Sequence, residues 1–105
     1  MTDALGGITR ADLERARIIP LPFLQPGVSA MTLGRFIFIR RTALDDPALL
    51  HHELVHVRQW REQGIVAFLG TYLAAYFRGR LSGLGHWDAY RAIPQEIEAR
   101  ELSGR

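Results

Sequence analysis

The sequence predicts an α+β fold, in which a small antiparallel β-sheet packs against three to four helices. Three observations predict it: a β-type pattern over residues 28–41, a helix with marked ends over residues 45–64, and helical patterns in the remaining C-terminal part. A chain of 105 residues is long enough for a single domain with one core. We expect residues 1–26 to form an N-terminal helix and a proline-rich segment, and residues 27–105 to form the core that carries the functional site.

The N-terminal segment begins with a short predicted helix. Thr9 can cap the stretch "RADLERAR", whose apolar positions are Ala11, Leu13 and Ala16. The following "IIPLPFLQPG" contains three prolines and ends in a proline–glycine turn signal. We therefore expect residues 18–27 to be irregular.

The stretches "VSAMTL" and "RFIFIRR" are predicted strands, separated by Gly34. In the second strand, Phe36 and Phe38 point to one side, and Ile37 and Ile39 point to the other. A strand that is apolar on both faces is normally covered on both faces, so we expect helices to lie over it.

The stretch "LDDPALLHHELVHVRQWREQG" is typical of a helix with both ends marked. Asp45 or Asp46 can cap its start, Pro47 fits the first turn, and Gly64 suits a left-handed stop. A second helix is predicted for residues 65–78 and is apolar on nearly all sides.

The uncharged part of that second helix, residues 64–77, is shorter than the roughly 17–25 residues that span a bilayer. We therefore predict a buried helix. A glycine-containing loop, "GRLSGLGHWD", follows it, and a last helix is predicted to begin near Pro94.

The composition excludes several classes of function. The formal net charge is only +2, and all 13 basic residues are arginines scattered along the chain, which argues against a nucleic-acid interface. The absence of cysteine excludes disulfides, thiolate zinc sites and cysteine nucleophiles. No apolar stretch follows a basic start at the N-terminus, so we expect no signal peptide and a cytoplasmic location.

The helix predicted for residues 45–64 contains the pattern H-E-x-x-H, formed by His52, Glu53 and His56. Residues four apart lie on one face of a helix, so both imidazoles can reach one metal ion. Glu53 then lies beside the metal-bound water and can take its proton during hydrolysis. The pattern predicts a Zn²⁺ site with His52 and His56 as ligands and Glu53 as the general base.

A catalytic zinc needs a third protein ligand. Glu62 lies six residues after His56, where the metzincin pattern has its third ligand. That pattern requires a glycine at position 59 to turn the chain back, and position 59 is a glutamine here. A continuing helix points Glu62 about 240° around the axis from His56, away from the ion, so we exclude it. The alternative is a carboxylate from the first turn of the last helix, where Glu96 and Glu98 occur and only one can face inward.

The H-E-x-x-H pattern, followed on a later helix by "EIEA", resembles the gluzincin group of zinc metallopeptidases. At this length the chain is most similar to the very small minigluzincins, over residues 28–101. The resemblance implies a zincin-like fold that hydrolyses peptide bonds in peptides or proteins. It also implies that Glu96 is the third zinc ligand and that Ala99 is the small residue where two helices pack closely.

One position departs from the larger gluzincin families. Arg100 stands where those families have an aspartate that orients a ligating histidine through its ring N–H. Another acceptor must then fill that role, and Asp88, Glu98 or a backbone carbonyl are the candidates.

Peptidases of this kind usually have a hydrogen-bond donor for the oxyanion. Tyr90, His86 and Arg91 precede the last helix and are candidates, each with an ordinary structural role as the alternative. His51 has Val55 as its i+4 neighbour, so we expect it at the surface or behind the ligands.

The strand "RFIFIR" has two interpretations. In zincin-like folds an edge strand beside the metal helix pairs with an extended substrate, and the alternative is a plain core strand. Trp60 and Trp87 are expected to pack in the core near the site. Residues 19–27 are long enough to lie across a cleft and keep the domain latent.

Two other classes of function stay open. The zinc can be structural or sensory, with His51 or His86 closing its fourth position. The apolar helix at residues 65–77 can instead bind a membrane surface or a partner, and we expect weak homodimerisation through it.

Overall fold

A computed structural model describes residues 6–105 of the chain. Its elements, in chain order, are α1 Arg10–Arg15, β1 Arg17–Leu21, β2 Ala30–Leu33, β3 Phe36–Arg40, a 3₁₀ turn Arg41–Ala43, α2 Pro47–Gln63, α3 Ile65–Leu81, α4 His86–Arg91 and α5 Pro94–Ser103. The fold is α+β, as predicted, with five helices in this part of the chain where three to four were expected.

The three strands form a mixed sheet in the order β1-β3-β2. β2 and β3 pair antiparallel, with Thr32 opposite Ile37, whereas β1 pairs parallel with β3. The sheet is therefore not purely antiparallel, and the expectation of irregular chain is wrong for residues 18–21. Pro20 is tolerated in β1 because β1 is an edge strand, where a missing amide donor can face away from the ladder.

In the described part of the chain, residues 6–105, the sheet is covered on one face only. Ile37 and Ile39 are fully buried in the core cluster, whereas Phe36, Met31 and Leu33 are each more than 40% exposed. The expected cover on both faces is wrong because α2 alone packs closely on β2 and β3. α3 and α5 pack against α2 instead of covering the second face of the sheet.

α2 is the central element, and both of its predicted ends are present. The Asp46 side chain accepts a hydrogen bond from the Leu49 amide, Pro47 is the first helical residue, and Gly64 ends the helix with φ 81°. α5 packs alongside α2 through the fully buried Ala99. This packing places the first turn of α5 next to the middle of α2.

α1 begins at the predicted cap. Thr9 and Asp12 form a reciprocal capping box. Asp12 is fully buried and accepts hydrogen bonds from Arg61 of α2 at 2.6 and 3.1 Å. This ion pair ties the N-terminal helix to the C-terminal half of α2.

α3 lies at the surface, which contradicts the predicted buried helix. Phe68 is its one buried residue. Its exposed apolar side chains are Ile65, Val66, Leu69, Leu73, Phe77 and Leu81. The prediction failed because an apolar sequence shows a preference for burial, whereas burial also requires enough other chain to cover the helix.

The segment after α3 is more helical than predicted. α3 continues to Leu81, and α4 forms inside the predicted loop, so the connection shortens to residues 82–85. Across residues 6–105, none of the helices combines the length and apolar character that crossing a bilayer requires.

Candidate metal centre

Three side chains from two helices meet in the interior. His52 and His56 lie one turn apart on α2, with ring centroids 4.9 Å apart, and Glu96 reaches them from the first turn of α5. One ligand atom from each of the three lies within 4.8 Å of the other two. All three residues are buried, with exposures of 3–6%.

The Glu96 carboxylate is the centre of this cluster. Its Oε1 lies 3.1 Å from His52 Nε2, and its Oε2 lies 3.2 Å from His56 Nε2. The Tyr72 hydroxyl donates a hydrogen bond of 2.7 Å to Oε2. Burial alone would raise the pKa of Glu96, but these histidine and tyrosine contacts outweigh it and hold the pKa far below its usual value. Glu96 is therefore a carboxylate anion.

The donor set suits a metal ion. Two imidazole nitrogens and one carboxylate oxygen are the three protein ligands of a common class of catalytic zinc sites, which leave a fourth position for water. Within residues 6–105, His56 Nε2, which faces the cluster, is a buried nitrogen that makes no hydrogen bond. Buried unpaired nitrogens are costly, and a metal ion satisfies such a lone pair. The residues present therefore fit a metal ion at this position.

Gln59 orients His56. Its amide nitrogen donates to the Gln95 carbonyl at 3.1 Å and to Glu98 Oε1 at 2.7 Å, so its amide oxygen faces His56 Nδ1 at 2.8 Å. His56 Nδ1 then donates its proton to Gln59, and Nε2 is the ring nitrogen that faces the cluster. Arg58 contacts the same Glu98 oxygen at 2.6 Å.

These contacts show which side chain orients a histidine of the cluster, given that position 100 is an arginine. Arg100 donates to the Arg91 carbonyl at 2.7 Å. Two acceptors were predicted for this role. Glu98 contacts Gln59 and not a histidine, and Asp88 pairs with Arg91 at 3.8 Å on the surface. The direct acceptor is Gln59. It was missed because, in the sequence, the only notable feature of position 59 was that it is not a glycine.

Glu53 lies beside the cluster and faces β2. The Thr32 hydroxyl donates to Glu53 Oε1 at 2.6 Å, and Glu53 is only 5% exposed. Burial raises the pKa of Glu53. The positive charge of His56 and the hydrogen bond from Thr32 offset part of that rise. Thr32 was not singled out from the sequence, because nothing local links it to a helix 21 residues away.

Two tyrosines face Glu96. Burial and the charge of Glu96 raise the pKa of both Tyr72 and Tyr90 well above the usual value, so both hydroxyls stay protonated. Tyr90 was a sequence candidate, whereas Tyr72 was assigned to an apolar helix. The signal for Tyr72 was its position one turn after Phe68, on the buried face of α3.

The other sequence candidates lie outside the metal cluster. His86 contacts the Tyr76 hydroxyl at 2.9 Å, and His51 contacts the Gly6 carbonyl at 2.8 Å. The excluded Glu62 pairs with Arg58 at the surface.

The two tryptophans differ. Trp60 is buried and stacks on Phe68 with centroids 4.1 Å apart, as expected for core packing. Trp87 is 43% exposed, so its assignment to the core is wrong. Its ring packs edge-on against Tyr90 and lies beside Gly27, next to the loop that precedes β2.

The strand expected to pair with substrate is also corrected. β3, which contains "FIFIR", is the middle strand and has partners on both sides. The edge strand nearest the cluster is β2, through the contact between Thr32 and Glu53. The second edge of β3 is not free for a substrate because β1 pairs with it. The prolines in and after β1 had argued against such pairing.

Comparison with known proteins gives one family match. A model described as the eCIS core domain matches residues 23–64, which include β2, β3 and α2. The matched part contains His52, Glu53 and His56 but ends before Glu96. No curated protein and no solved structure matches the chain. The chain is therefore similar to the eCIS core domain over the segment that carries the H-E-x-x-H pattern.

Proposed function

We propose that this protein is a zinc-dependent metallopeptidase of the gluzincin type, which hydrolyses peptide bonds in peptides or proteins. The observation that carries the proposal is the buried cluster of His52, His56 and Glu96 with Glu53 beside it. Two imidazoles, one carboxylate and an adjacent second carboxylate are the side chains that zinc-dependent hydrolysis needs.

Each side chain has a role in this proposal. Zinc, when bound, would supply Lewis-acid activation of water and of the substrate carbonyl. Glu53 accepts the proton of the attacking water, and Thr32 fixes the direction of its carboxylate. Tyr90, protonated and next to Glu96, donates a hydrogen bond to the developing oxyanion. Tyr72 holds Glu96 in place as a ligand.

The free edge of β2 is the place for the peptide. β2 is an edge strand, and an extended segment can add to such an edge through main-chain hydrogen bonds. Because Thr32 of β2 contacts Glu53, a segment paired there passes directly over the general base.

We also propose that the free domain is weakly active or latent. None of the four site residues is more than 6% exposed, so a substrate reaches them only if covering side chains move. The loop before β2 lies against Trp87 and is held by three hydrogen bonds from Arg40. Deletion of residues 1–26 would remove β1, so Trp87→Ala is the cleaner test. The Trp87→Ala variant should hydrolyse peptides faster. An unchanged rate would argue against the proposal that Trp87 and the loop before β2 restrict access to the site.

The test of the proposed function separates chemistry from metal binding. Glu53→Gln should abolish hydrolysis of a peptide library in the zinc-loaded protein and leave the zinc content near one per chain. Glu62→Gln, an exposed change on the same helix, is the matched control and should alter neither quantity. A Glu53→Gln protein with undiminished hydrolysis would exclude this mechanism.

Two alternatives make different predictions. A structural zinc site normally closes its fourth position with protein, but His51 and His86 are bonded elsewhere. If the zinc were structural, Glu53→Gln would change nothing measurable beyond stability. A partner-binding role rests on the exposed apolar face of α3 and is compatible with either kind of zinc site.

A further inference from the structure

A second concave site lies beyond the metal cluster. A cavity of about 480 Å³ opens between the end of β2 and the C-terminal end of α2. Its walls are largely apolar and are formed by Leu33, Phe36, Trp60 and Ile65. Ligand pockets in proteins are typically of this size and are mostly apolar with a few polar groups.

The charge around the cavity is positive. Arg15, Arg35 and Arg61 line it, and no acidic residue among those that the structure describes does. Arg61 is paired with Asp12, whereas Arg15 and Arg35 have no carboxylate partner in residues 6–105. An acidic group on the ligand would complement this excess of positive charge.

The position of the cavity relates it to the metal cluster. Leu33 follows Thr32, the residue that contacts Glu53, and Trp60 follows His56 by one helical turn. Seven helical residues, from Glu53 to Trp60, span about 10 Å. An extended peptide covers that distance in about three residues, so one segment can reach both places along β2.

We propose that this cavity is a peptide-binding pocket that selects an apolar side chain followed or preceded by an acidic residue, about three residues from the peptide bond to be cleaved. The inference rests on the proposed peptidase function, because it names the class of segment which that site accepts. The apolar side chain fills the space over Trp60, and the acidic side chain pairs with Arg15 and Arg35.

The test uses the full chain with Glu53→Gln, so that peptides bind without being cleaved. Peptides of equal length carry an apolar–acidic pair, an apolar–basic pair or an acidic residue alone, and their binding is measured by fluorescence anisotropy. We expect the apolar–acidic peptide to bind at least about tenfold more tightly than the other two, a difference typical of one charge-assisted contact.

Charge reversal gives the decisive comparison. The double variant Arg15→Glu with Arg35→Glu should bind the apolar–basic peptide more tightly than the apolar–acidic peptide. Arg15→Glu alone, at an exposed position, should reduce the preference for the apolar–acidic peptide. The matched control reverses Arg78 and Arg80 at the end of α3, outside the cavity, and should leave the preference unchanged.

Three outcomes would overturn the pocket: equal binding of all three peptides, a preference that survives the charge reversal, or a free aromatic carboxylate that binds as tightly as the best peptide. Glu53-dependent hydrolysis is measured in parallel on the unsubstituted protein. Hydrolysis without the charge-dependent preference removes the pocket and leaves the proposed peptidase. Charge-dependent peptide binding without hydrolysis, in the unsubstituted protein and in Trp87→Ala, supports the pocket and removes the peptidase.

Discussion

Gln59 accepts a hydrogen bond from His56 Nδ1 across 2.8 Å, while its own amide nitrogen donates to Glu98. This contact determines which ring nitrogen of His56 is free for a metal ion. An uncharged amide of α2 itself therefore performs this orienting task. Arg100 takes no part in it and donates to the Arg91 carbonyl instead.

The first prediction concerns this amide. Gln59→Leu should weaken zinc binding roughly 10–100-fold, because His56 loses the acceptor that fixes its tautomer and ring orientation. Gln63→Leu, an exposed change one turn further along α2, is the control. Competition with a chromophoric chelator measures both affinities, and equal affinities would mean that Gln59 has only a packing role.

The second prediction concerns Tyr72. Tyr72→Phe should lower the free energy of unfolding of the metal-free protein by about 1.5–3 kcal/mol, because the Glu96 anion loses a charge-assisted donor inside the protein. Tyr76→Phe removes an exposed hydrogen bond to His86 and should cost less than about 1 kcal/mol. Urea denaturation of both variants tests the difference, and similar losses would contradict it.

The third prediction concerns the pH dependence of stability. Burial alone would raise the pKa of Asp12, but hydrogen bonds from Arg61 and Thr9 outweigh it and leave the folded-state pKa below the unfolded value of about 3.9. The contribution of Asp12 to stability is therefore complete above pH ~4 and is lost as the pH falls through the folded-state pKa.

Asp12→Asn should accordingly destabilise the protein by about 2–4 kcal/mol at pH 7 and by much less at pH 2, because the variant has no carboxylate to protonate. The exposed Asp45→Asn is the control. Denaturant unfolding at several pH values gives the answer. A constant difference between variant and parent from pH 7 to pH 2 would refute the assignment.

The fourth prediction concerns the exposed face of α3. We expect weak homodimerisation through residues 65–77, because a helix with this much exposed apolar area gains from being covered. Leu73→Arg with Phe77→Arg should abolish concentration-dependent association in sedimentation velocity experiments. Leu13→Arg, which changes an exposed apolar residue on α1, should leave association intact.

The parts of the fold that follow from local signals could be predicted from the sequence. α2 was predicted with its ends because Asp46, Pro47 and Gly64 act within one turn of the helix they delimit. The pairing of β1 with β3 could not, because it joins segments about 19 residues apart and the proline content pointed the other way.

The same division applies to the site. His52, Glu53 and His56 share one helix, so their spacing was enough to group them, and the resemblance to gluzincins supplied Glu96. Gln59 was missed because its role depends on partners 36 and 39 residues away on α5. Thr32, Tyr72 and the exposure of α3 depend in the same way on how elements pack, which local pattern does not encode.

The most direct test of the central claim is zinc content by mass spectrometry, on the purified protein and on two variants of α5, Glu96→Ala and Glu98→Ala. We expect about one zinc per chain, lost in Glu96→Ala and retained in Glu98→Ala, because the Glu98 carboxylate contacts Gln59 and Arg58 and not the two histidines. A protein without zinc that is also not stabilised when zinc is added, or equal loss in both variants, would contradict it.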